Sequence, residues 1–412
     1  MEFRLSGGQS PLLISGLPFP LSFTVCARVR GPLAPESLPG ALDRLRRRHP
    51  LIAVRIAPVK NGPGACFTTE DVPSIPLRFL ERTSDEDWVR EVEREISLPF
   101  DYRTGPLLRC IVLRDAEVSD LIVVFDHLPV DGRAAVFALR DLMALLADPD
   151  WRPEPLVPPM MLELIPPAMR ARILETAARF SGTPQAAAPG QLEDSPAGPM
   201  RALPIEWNEA ETAALVAACR ARRLTVQSAL CAAFAIPFAE REPDAPVRFL
   251  ECPVDLRSRL APPPREAVGN YISLAVIRLE CTPGRGPWEA ARQAGRALAS
   301  LTDEQLFTDP LVMMAVAEHP ISRPPVDVRY DLSISNVGRV DIPETYGPYR
   351  IESIYGPTMG VFLAGHRILA VATFGGRMRA TFTSRDPDAG GIVFRARDII
   401  ARLSKPQERT AA

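Results

Sequence analysis

The segment VVFDHLPVDGRAA, residues 123–135, combines residue types that could carry out proton-transfer chemistry. His127 follows an apolar run, Asp126 precedes it, and Asp131 and Gly132 come four and five residues later. An imidazole titrates near neutral pH, so it can accept a proton and return it under physiological conditions. His127 is therefore a candidate general base. A structural histidine at the end of a strand is the competing interpretation.

The elements predicted around His127 would hold it rigidly. The run LIVVF (121–125) is apolar throughout, which predicts a strand buried on both faces. Pro129 and the Asp131-Gly132 pair favour a tight turn after the histidine. The residues that follow Gly132 have the apolar spacing of a helix. A strand–turn–helix junction of this kind holds a side chain in a defined direction at the edge of a sheet, as general base catalysis requires.

The residues next to the histidine allow more than one role. Asp131 could orient the imidazole or pair with a distant arginine, and an Asx turn is the competing interpretation. Gly132 indicates either a backbone conformation or a close approach that a side chain would prevent. Neighbouring residues on a strand point to opposite faces, so Asp126 and His127 should point apart. We therefore expect Asp126 to hydrogen-bond local groups and hold the end of the strand.

The whole chain has the composition of a globular protein with more than one core. Its 412 residues are 46% hydrophobic and 24% charged, with a formal net charge of −2. That balance argues against a nucleic-acid partner. Strand-like and helix-like segments alternate, including a predicted strand at 51–57, which favours an α/β (α+β) fold. We predict an N-terminal lobe at 1–150 carrying the histidine segment, a Pro/Ala-rich linker with one helix at 151–202, and a C-terminal lobe at 203–412.

Cysteine usage and the N-terminus bear on the compartment. The seven cysteines are scattered without metal-type pairs, so we expect buried thiols in a reducing compartment and no metal site. The first 25 residues lack the basic region and unbroken apolar core of a signal peptide. No run reaches the roughly 18 apolar residues of a membrane span. We expect a cytoplasmic protein without a membrane span.

Four segments resemble the superfamily of condensation domains and chloramphenicol-acetyltransferase-like acyltransferases. HLPVDG (127–132) has the form of its HxxxDG active-site signature. ALDRLRRRHPLIAVRI (41–56) resembles the helix and strand near the start of bacterial members. PVDLRSRL and VGNYISLAVIRLE (253–280) resemble the second-half region in which an arginine precedes a Gly-Asn strand. SISNVGRV (333–340) resembles the Ser-Asn-x-Gly segment of polyketide-associated and wax-ester-type acyltransferases. Their order and spacing match across nearly the whole chain.

The resemblance implies a fold and a reaction. The fold would be two chloramphenicol-acetyltransferase-like lobes, each a mixed sheet packed by helices, with a tunnel at their interface. The reaction would move an acyl group from a thioester to an alcohol or an amine. The thioester would be carried by coenzyme A or by the phosphopantetheine arm of an acyl or peptidyl carrier protein. It would be a substrate, and no tightly bound cofactor or metal is implied. Secondary metabolite or lipid biosynthesis would be the setting.

The resemblance also implies roles for particular residues. His127 would be the general base, within a motif completed by Asp131 and Gly132. Asp131 would form a structural ion pair with Arg257 across the junction between the lobes. Two polar residues of the later segment, Ser335 and Asn336, become candidates for binding the oxyanion or the substrate, with a simple turn as the competing interpretation.

The chain departs from the family pattern at one position. Many members have a second histidine directly before the catalytic one, and this chain has Asp126 there. Asp126 and Asp131 together form a DxxxxD pattern similar to that of the heterocyclisation branch. That branch loses the histidine and has a serine where this chain has Ala134. Ester formation by acyl transfer is therefore the favoured function. Two alternatives stay open: a free-standing condensation enzyme that forms an amide between carrier-bound substrates, and a catalytically silent carrier-protein docking module.

Overall fold

The computed structural model describes residues 1–5, 20–31, 33–60, 64–179, 198–282, 284–316, 331–360 and 366–405. The strands within these ranges are β1 (Glu2–Arg4), β2 (Ser22–Arg30), β3 (Arg55–Pro58), β4 (Ala65–Thr68), β5 (Leu77–Glu81), β6 (Leu108–Arg114), β7 (Val118–Asp126), β8 (Arg201–Trp207), β9 (Val247–Asp255), β10 (Ile272–Glu280), β11 (Leu332–Arg339), β12 (Thr345–Tyr346), β13 (Tyr349–Met359), β14 (Ile368–Phe374) and β15 (Arg377–Ser384).

The α-helices of the same ranges are α1 (Ser37–Arg48), α2 (Asp87–Glu95), α3 (Gly132–Ala147), α4 (Met161–Leu164), α5 (Pro167–Ala178), α6 (Glu209–Ala221), α7 (Val226–Arg241), α8 (Pro287–Ala299), α9 (Asp303–Phe307), α10 (Pro310–Val316) and α11 (Ala389–Leu403). Together with the strands they form a mixed α/β fold built on two six-stranded sheets and one three-stranded sheet. Within the described ranges, no helix has both the length and the apolar character needed to cross a membrane.

The first sheet has the strand order β12-β13-β2-β7-β6-β5. Strand β7 lies inside this sheet, antiparallel to both β2 and β6. Every residue of β7 after Val118 is buried, which explains why the segment is apolar without alternation. Helices α1 and α3 contribute buried leucines to the core on one face, and Trp88 and Val92 of α2 pack into the core on the other. Covered on both faces, β7 holds the residue at its end in a fixed place.

The second sheet has the strand order β10-β9-β11-β14-β15-β8. It is mixed, because β11 runs parallel to both β9 and β14 while the other pairs are antiparallel. Apolar side chains of α6, α7, α8 and α11 form one core with this sheet. The predicted fold class of two mixed sheets packed by helices is confirmed. The predicted strand at 51–57 is shorter than expected, because Pro50–Ile52 form a 3₁₀ turn and the strand is Arg55–Pro58.

The sheets do not simply follow one another along the chain. Strands β12 and β13 come from the later part of the sequence, yet they complete the edge of the first sheet by pairing of β13 with β2. The lobe boundaries at 150 and 202 stay a prediction, and β13 crosses them in space. The linker carries two helices, α4 and α5, where one was expected, because Pro166 and Pro167 interrupt the helical run. Residues 180–197 of this linker lie outside the described ranges.

Candidate active site

His127 is the first residue after β7, and its backbone is held by both halves of the molecule. Its N–H donates to the carbonyl oxygen of Leu21 at 2.9 Å. Its own carbonyl oxygen accepts a hydrogen bond from Nδ2 of Asn270, from the second half of the chain, at 2.7 Å. The imidazole packs against the ring of Phe23, with 4.9 Å between the ring centroids. These contacts restrict where the imidazole can point.

The surroundings of His127 keep its imidazole neutral. Burial lowers the pKa of His127 below its ordinary value of 6.5, because a charged imidazolium is poorly solvated there. Hydrogen bonds to the backbone of His127 and Val130, and the nearby charge of Asp131, raise the pKa but do not outweigh burial. At pH 7 the neutral ring can accept a proton, which is the state that a general base needs.

Asp131 connects the two sheets through its buried carboxylate. Oδ1 accepts a hydrogen bond from the backbone N–H of Ala134 at 2.8 Å and thereby caps α3. Oδ2 accepts one from the backbone N–H of Tyr271, next to β10, at 2.9 Å. The guanidinium of Arg257 binds both oxygens, with Nη1 at 2.9 Å from Oδ2 and Nη2 at 3.1 Å from Oδ1. The structure thus brings Asp131 and Arg257 together in a bidentate ion pair.

Gly132 lies against side chains that come from the second half of the chain. Its φ angle lies outside the left-handed region, so conformation is not what requires glycine here. A Cβ atom at this position would lie 2.6 Å from Cγ of Pro357, on β13, and 3.2 Å from Cγ1 of Val337, on β11. Of the two explanations that the sequence left open, the structure supports the second, because a side chain would collide with these neighbours.

Ser335 and Asn336 lie near the end of the straight part of β11, where its pairing with β14 becomes irregular. Both are half-buried. Oδ1 of Asn336 accepts a hydrogen bond from the backbone N–H of Gly338 at 2.9 Å, which is the turn predicted as the competing interpretation. The amide nitrogen of Asn336 and the hydroxyl of Ser335 are the donors that remain for a substrate.

A cavity of about 380 Å³ lies between the two sheets. Its volume is within the range of about 300–1,000 Å³ that is usual for small-molecule sites. The lining includes all six residues that the sequence singled out: His127, Asp131, Gly132, Arg257, Ser335 and Asn336. Apolar side chains such as Leu21 and Phe23 supply much of the remaining wall. Whether the cavity continues as a tunnel through the protein stays a prediction.

The side chain of Asp126 points away from the cavity and into the core. Its Oδ1 accepts a hydrogen bond from the backbone N–H of Leu128 at 3.0 Å, and its Oδ2 accepts one from the hydroxyl of Tyr102 at 2.8 Å. Burial raises the pKa of Asp126 to about 7, and these hydrogen bonds and the charge of Arg109 lower it only in part. The local contacts are those expected from strand alternation.

Two further residues of the site were not singled out from the sequence. Asn270 stands in the quoted Gly-Asn strand segment, so the signal was present, but nothing indicated that its amide would bind the carbonyl of His127. Tyr102 is an isolated tyrosine in a loop before β6 and carried no signal.

In the described ranges, no group of three or more His, Cys, Asp or Glu side chains is placed to hold a metal ion.

Comparisons with known proteins bear on this arrangement. Residues 196–379 match a family described as the C-terminus of phthiocerol/phthiodiolone dimycocerosyl transferase. Chondramide synthase cmdD of Chondromyces crocatus is 30% identical over 135 residues, which are 31% of this chain and 4% of that protein. Phosphinothricin tripeptide synthetase PhsC of Streptomyces viridochromogenes is 29% identical over 142 residues, 33% of this chain and 13% of the synthetase. The chain thus spans a small part of these relatives.

Solved structures extend the similarity to the whole chain. Polyketide synthase associated protein 5 from Mycobacterium tuberculosis aligns with a TM-score of 0.66 and 18% identity, over 98% of this chain and 99% of that one. The first condensation domain of the CDA synthetase aligns with a TM-score of 0.69 and 14% identity, over 98% and 96%. The chain has the condensation-domain fold. TRI3 trichothecene 15-O-acetyltransferase from Fusarium sporotrichioides shares this condensation-domain fold, with a TM-score of 0.69 and 12% identity over 98% and 96%. The partial family match agrees with the resemblance to the superfamily, and the solved structures show the fold.

Proposed function

We propose that the protein transfers an acyl group from a thioester to a hydroxyl acceptor and forms an ester, with His127 as the general base. The observation that supports this most is the neutral imidazole of His127, held on the wall of a cavity that both sheets line. A cavity shared by two halves can receive two substrates and align them, which removes much of the entropic cost of a bimolecular reaction.

The reaction follows from the state of the imidazole. The ring nitrogen that does not carry a proton takes the proton from the acceptor hydroxyl as its oxygen attacks the thioester carbonyl carbon. A tetrahedral oxyanion forms. When it collapses, the carbon–sulfur bond breaks, and the imidazolium gives its proton to the departing thiolate. The products are an ester and a free thiol, and His127 is returned to its neutral form.

The remaining site residues position and stabilise. Asp131 and Arg257 are not within the reacting set in this proposal, because their charges are already satisfied by each other and by the backbone. They keep the His127 turn aligned with the second sheet. The hydroxyl of Ser335 and the amide nitrogen of Asn336 are donors on the cavity wall that can stabilise the oxyanion.

The similar proteins support this choice of donor and acceptor. A polyketide synthase associated protein and two synthetases favour an acyl group carried as a thioester, on coenzyme A or on a carrier-protein phosphopantetheine. The 15-O-acetyltransferase favours a hydroxyl acceptor. The second candidate is amide formation between carrier-bound substrates, which the match to the phosphinothricin tripeptide synthetase favours.

Thiol release distinguishes these functions. The protein would be incubated with acyl-coenzyme A and with acylated phosphopantetheine, each with an alcohol, with an amine, or with neither, and the free thiol and the product would be measured. We expect release that depends on the alcohol and is lost in His127→Ala. Release that depends on the amine alone would favour condensation. No acceptor-dependent release from the folded protein would contradict both and leave the docking module.

A further inference from the structure

The cavity wall formed by the second sheet carries three polar side chains that the proposed reaction does not use: Glu251, Ser333 and His366. Ser333 on β11 is in register with Glu251 on β9 and with Ile368 on β14. His366 comes two residues before the start of β14 and, like Ile368, lines the cavity. All four side chains line the cavity. The three polar residues therefore form one cluster on an otherwise largely apolar cavity wall. We call it the Glu251 cluster.

Glu251 has a carboxyl group that the protein satisfies only in part. The hydroxyl of Ser333 donates to its Oε1 at 2.8 Å. Burial raises its pKa, and the only group among the described residues that opposes this shift appreciably is Ser333. No described arginine or lysine forms an ion pair with Glu251, whereas most other buried acids here, such as Asp131, have such a partner. A carboxyl group that faces a cavity and has no cationic partner can bind a hydrogen-bond donor from outside the protein.

His366 supplies an independent sign of a missing partner. Its Nε2 is buried and has no hydrogen-bond partner among the described residues. Buried polar atoms are ordinarily hydrogen-bonded, so an unsatisfied one on a cavity wall indicates that a ligand completes it. Burial, with a smaller effect of Arg367, lowers the pKa of His366 to about 4. The imidazole is thus neutral at pH 7 and can either donate or accept.

The Glu251 cluster lies further along the second sheet from the catalytic turn than Ser335 does. Asp255, the last residue of β9, contacts Arg257 at 3.1 Å and so lies beside the ion pair of the catalytic turn. Glu251 precedes Asp255 by four residues. At about 3.3 Å per residue, that is a separation of about 13 Å along the strand. Ser333, in register with Glu251, precedes the proposed oxyanion donor Ser335 by two residues, so a group bound at Glu251 lies about 7 Å beyond that donor.

We infer that Glu251, Ser333 and His366 form a subsite for a hydrogen-bond donor, a hydroxyl or a protonated amine, on the part of a substrate that extends past Ser335 away from the catalytic turn. The inference deepens the proposed function and rests on it for the site of reaction. The same chemistry could be carried by the acceptor, as a diol or amino alcohol, or by the acyl group, as an ω-hydroxyacyl chain. The cluster would select substrates by this second polar group.

Matched substrate pairs test the subsite. In one arm the acceptors are a long-chain alcohol, the α,ω-diol and the amino alcohol of equal length; in the other the donors are an acyl and an ω-hydroxyacyl thioester. For the parent, kcat/KM should be higher for the substrate with the second polar group in one of the two arms. That arm identifies whether the acceptor or the acyl group carries the second polar group. Glu251→Gln should reduce that preference roughly tenfold or more, since hydrogen bonds to charged groups are the strong ones. Ser333→Ala should reduce it less.

Glu280→Gln is the matched control, because Glu280 lies on the neighbouring strand β10, pairs with Arg278 at 2.7 Å and does not line the cavity. It should leave the preference unchanged. Equal preference in the parent, Glu251→Gln and Ser333→Ala in both arms would overturn the inference.

Binding without turnover separates this inference from the proposed reaction. The shift in melting temperature with each diol, amino alcohol and ω-hydroxyacyl thioester would be measured for the parent and Glu251→Gln. If no pair releases thiol, the proposed function fails. A ligand-induced shift that is lost in Glu251→Gln would still support the subsite. Equal shifts in the two proteins, or no shift with any of these ligands, would refute it.

Discussion

Replacing Asp131 with alanine should destabilise the protein far more than replacing His127. The change removes the ion pair with Arg257, the cap of α3 and the acceptor of the Tyr271 N–H together. Breaking a buried ion pair by removing one partner typically costs about 3–5 kcal/mol. Asp255 remains 3.1 Å from the guanidinium and can take over part of the charge, which favours the lower end for the pair itself. The lost cap adds about 1 kcal/mol.

These numbers give an expected loss of about 3–5 kcal/mol in the free energy of unfolding, a large fraction of the roughly 5–15 kcal/mol typical of a folded protein. Urea denaturation followed by tryptophan fluorescence would measure it. Asp131→Asn should cost less than Asp131→Ala, because the asparagine oxygen can still cap α3, although the charge and the acceptor for the Tyr271 N–H are lost. Combining Asp131→Asn with Arg257→Gln should cost less than the sum of the two single changes, since neither charge is left unpaired.

An exposed ion pair of comparable length provides the control. Arg172 and Glu304 are 2.6 Å apart with side chains 60% and 53% exposed, so Glu304→Gln should cost only about 0–1 kcal/mol. If Asp131→Ala unfolded at the same urea concentration as the parent, or lost no more than Glu304→Gln, the carboxylate would not be holding the two sheets together.

The other expectations concern the motif around it. His127→Ala should lower kcat by roughly two to four powers of ten with an unchanged unfolding midpoint, and the acidic limb of the parent's kcat/KM profile should lie below pH 6.5; a limb above that pH would contradict the effect of burial. Asp126→Asn should leave that limb in place. Burial raises the carboxyl pKa of Asp126 from 3.8 to about 7, so the unfolded chain releases this proton at a lower pH than the folded protein does. The free energy of unfolding of the parent therefore falls as the pH rises between these values. In pH-dependent denaturation, Asp126→Asn should become more stable relative to the parent over that window. Gly132→Ala should destabilise by about 1–3 kcal/mol in thermal unfolding, since its methyl group would collide with Pro357. The control is Gly40→Ala on helix α1, where the added methyl group meets nothing within 4 Å. This variant should be neutral or more stable by up to about 1 kcal/mol. Similar losses of stability in both variants would exclude the collision as the cause.

Local patterns were enough to predict the elements that carry His127. The unbroken apolar run of 121–125 predicted a strand buried on both faces, and β7 is that strand. The spacing after Gly132 predicted α3, which begins at Gly132. These predictions succeed because the side-chain periodicity of a buried strand or of a helix is a property of neighbouring residues. The strand predicted at 51–57 came out shorter because Pro50 favours a tight turn there, which an apolar run alone does not show.

What the sequence by itself determined is therefore the α/β character, the position of the strand–turn–helix junction and, by the order of its motifs, the residues that meet at the cavity. Apart from the Asp131–Arg257 ion pair, which the resemblance implied, only the tertiary structure decided which neighbours they meet. The crossing of β13 into the first sheet, the hydrogen bond of Asn270 to His127 and the facing of Glu251 by Ser333 join residues that are far apart in the chain. Such contacts depend on which strands pair and in which register, and a local pattern shows which face of a strand is buried but not which strand lies beside it.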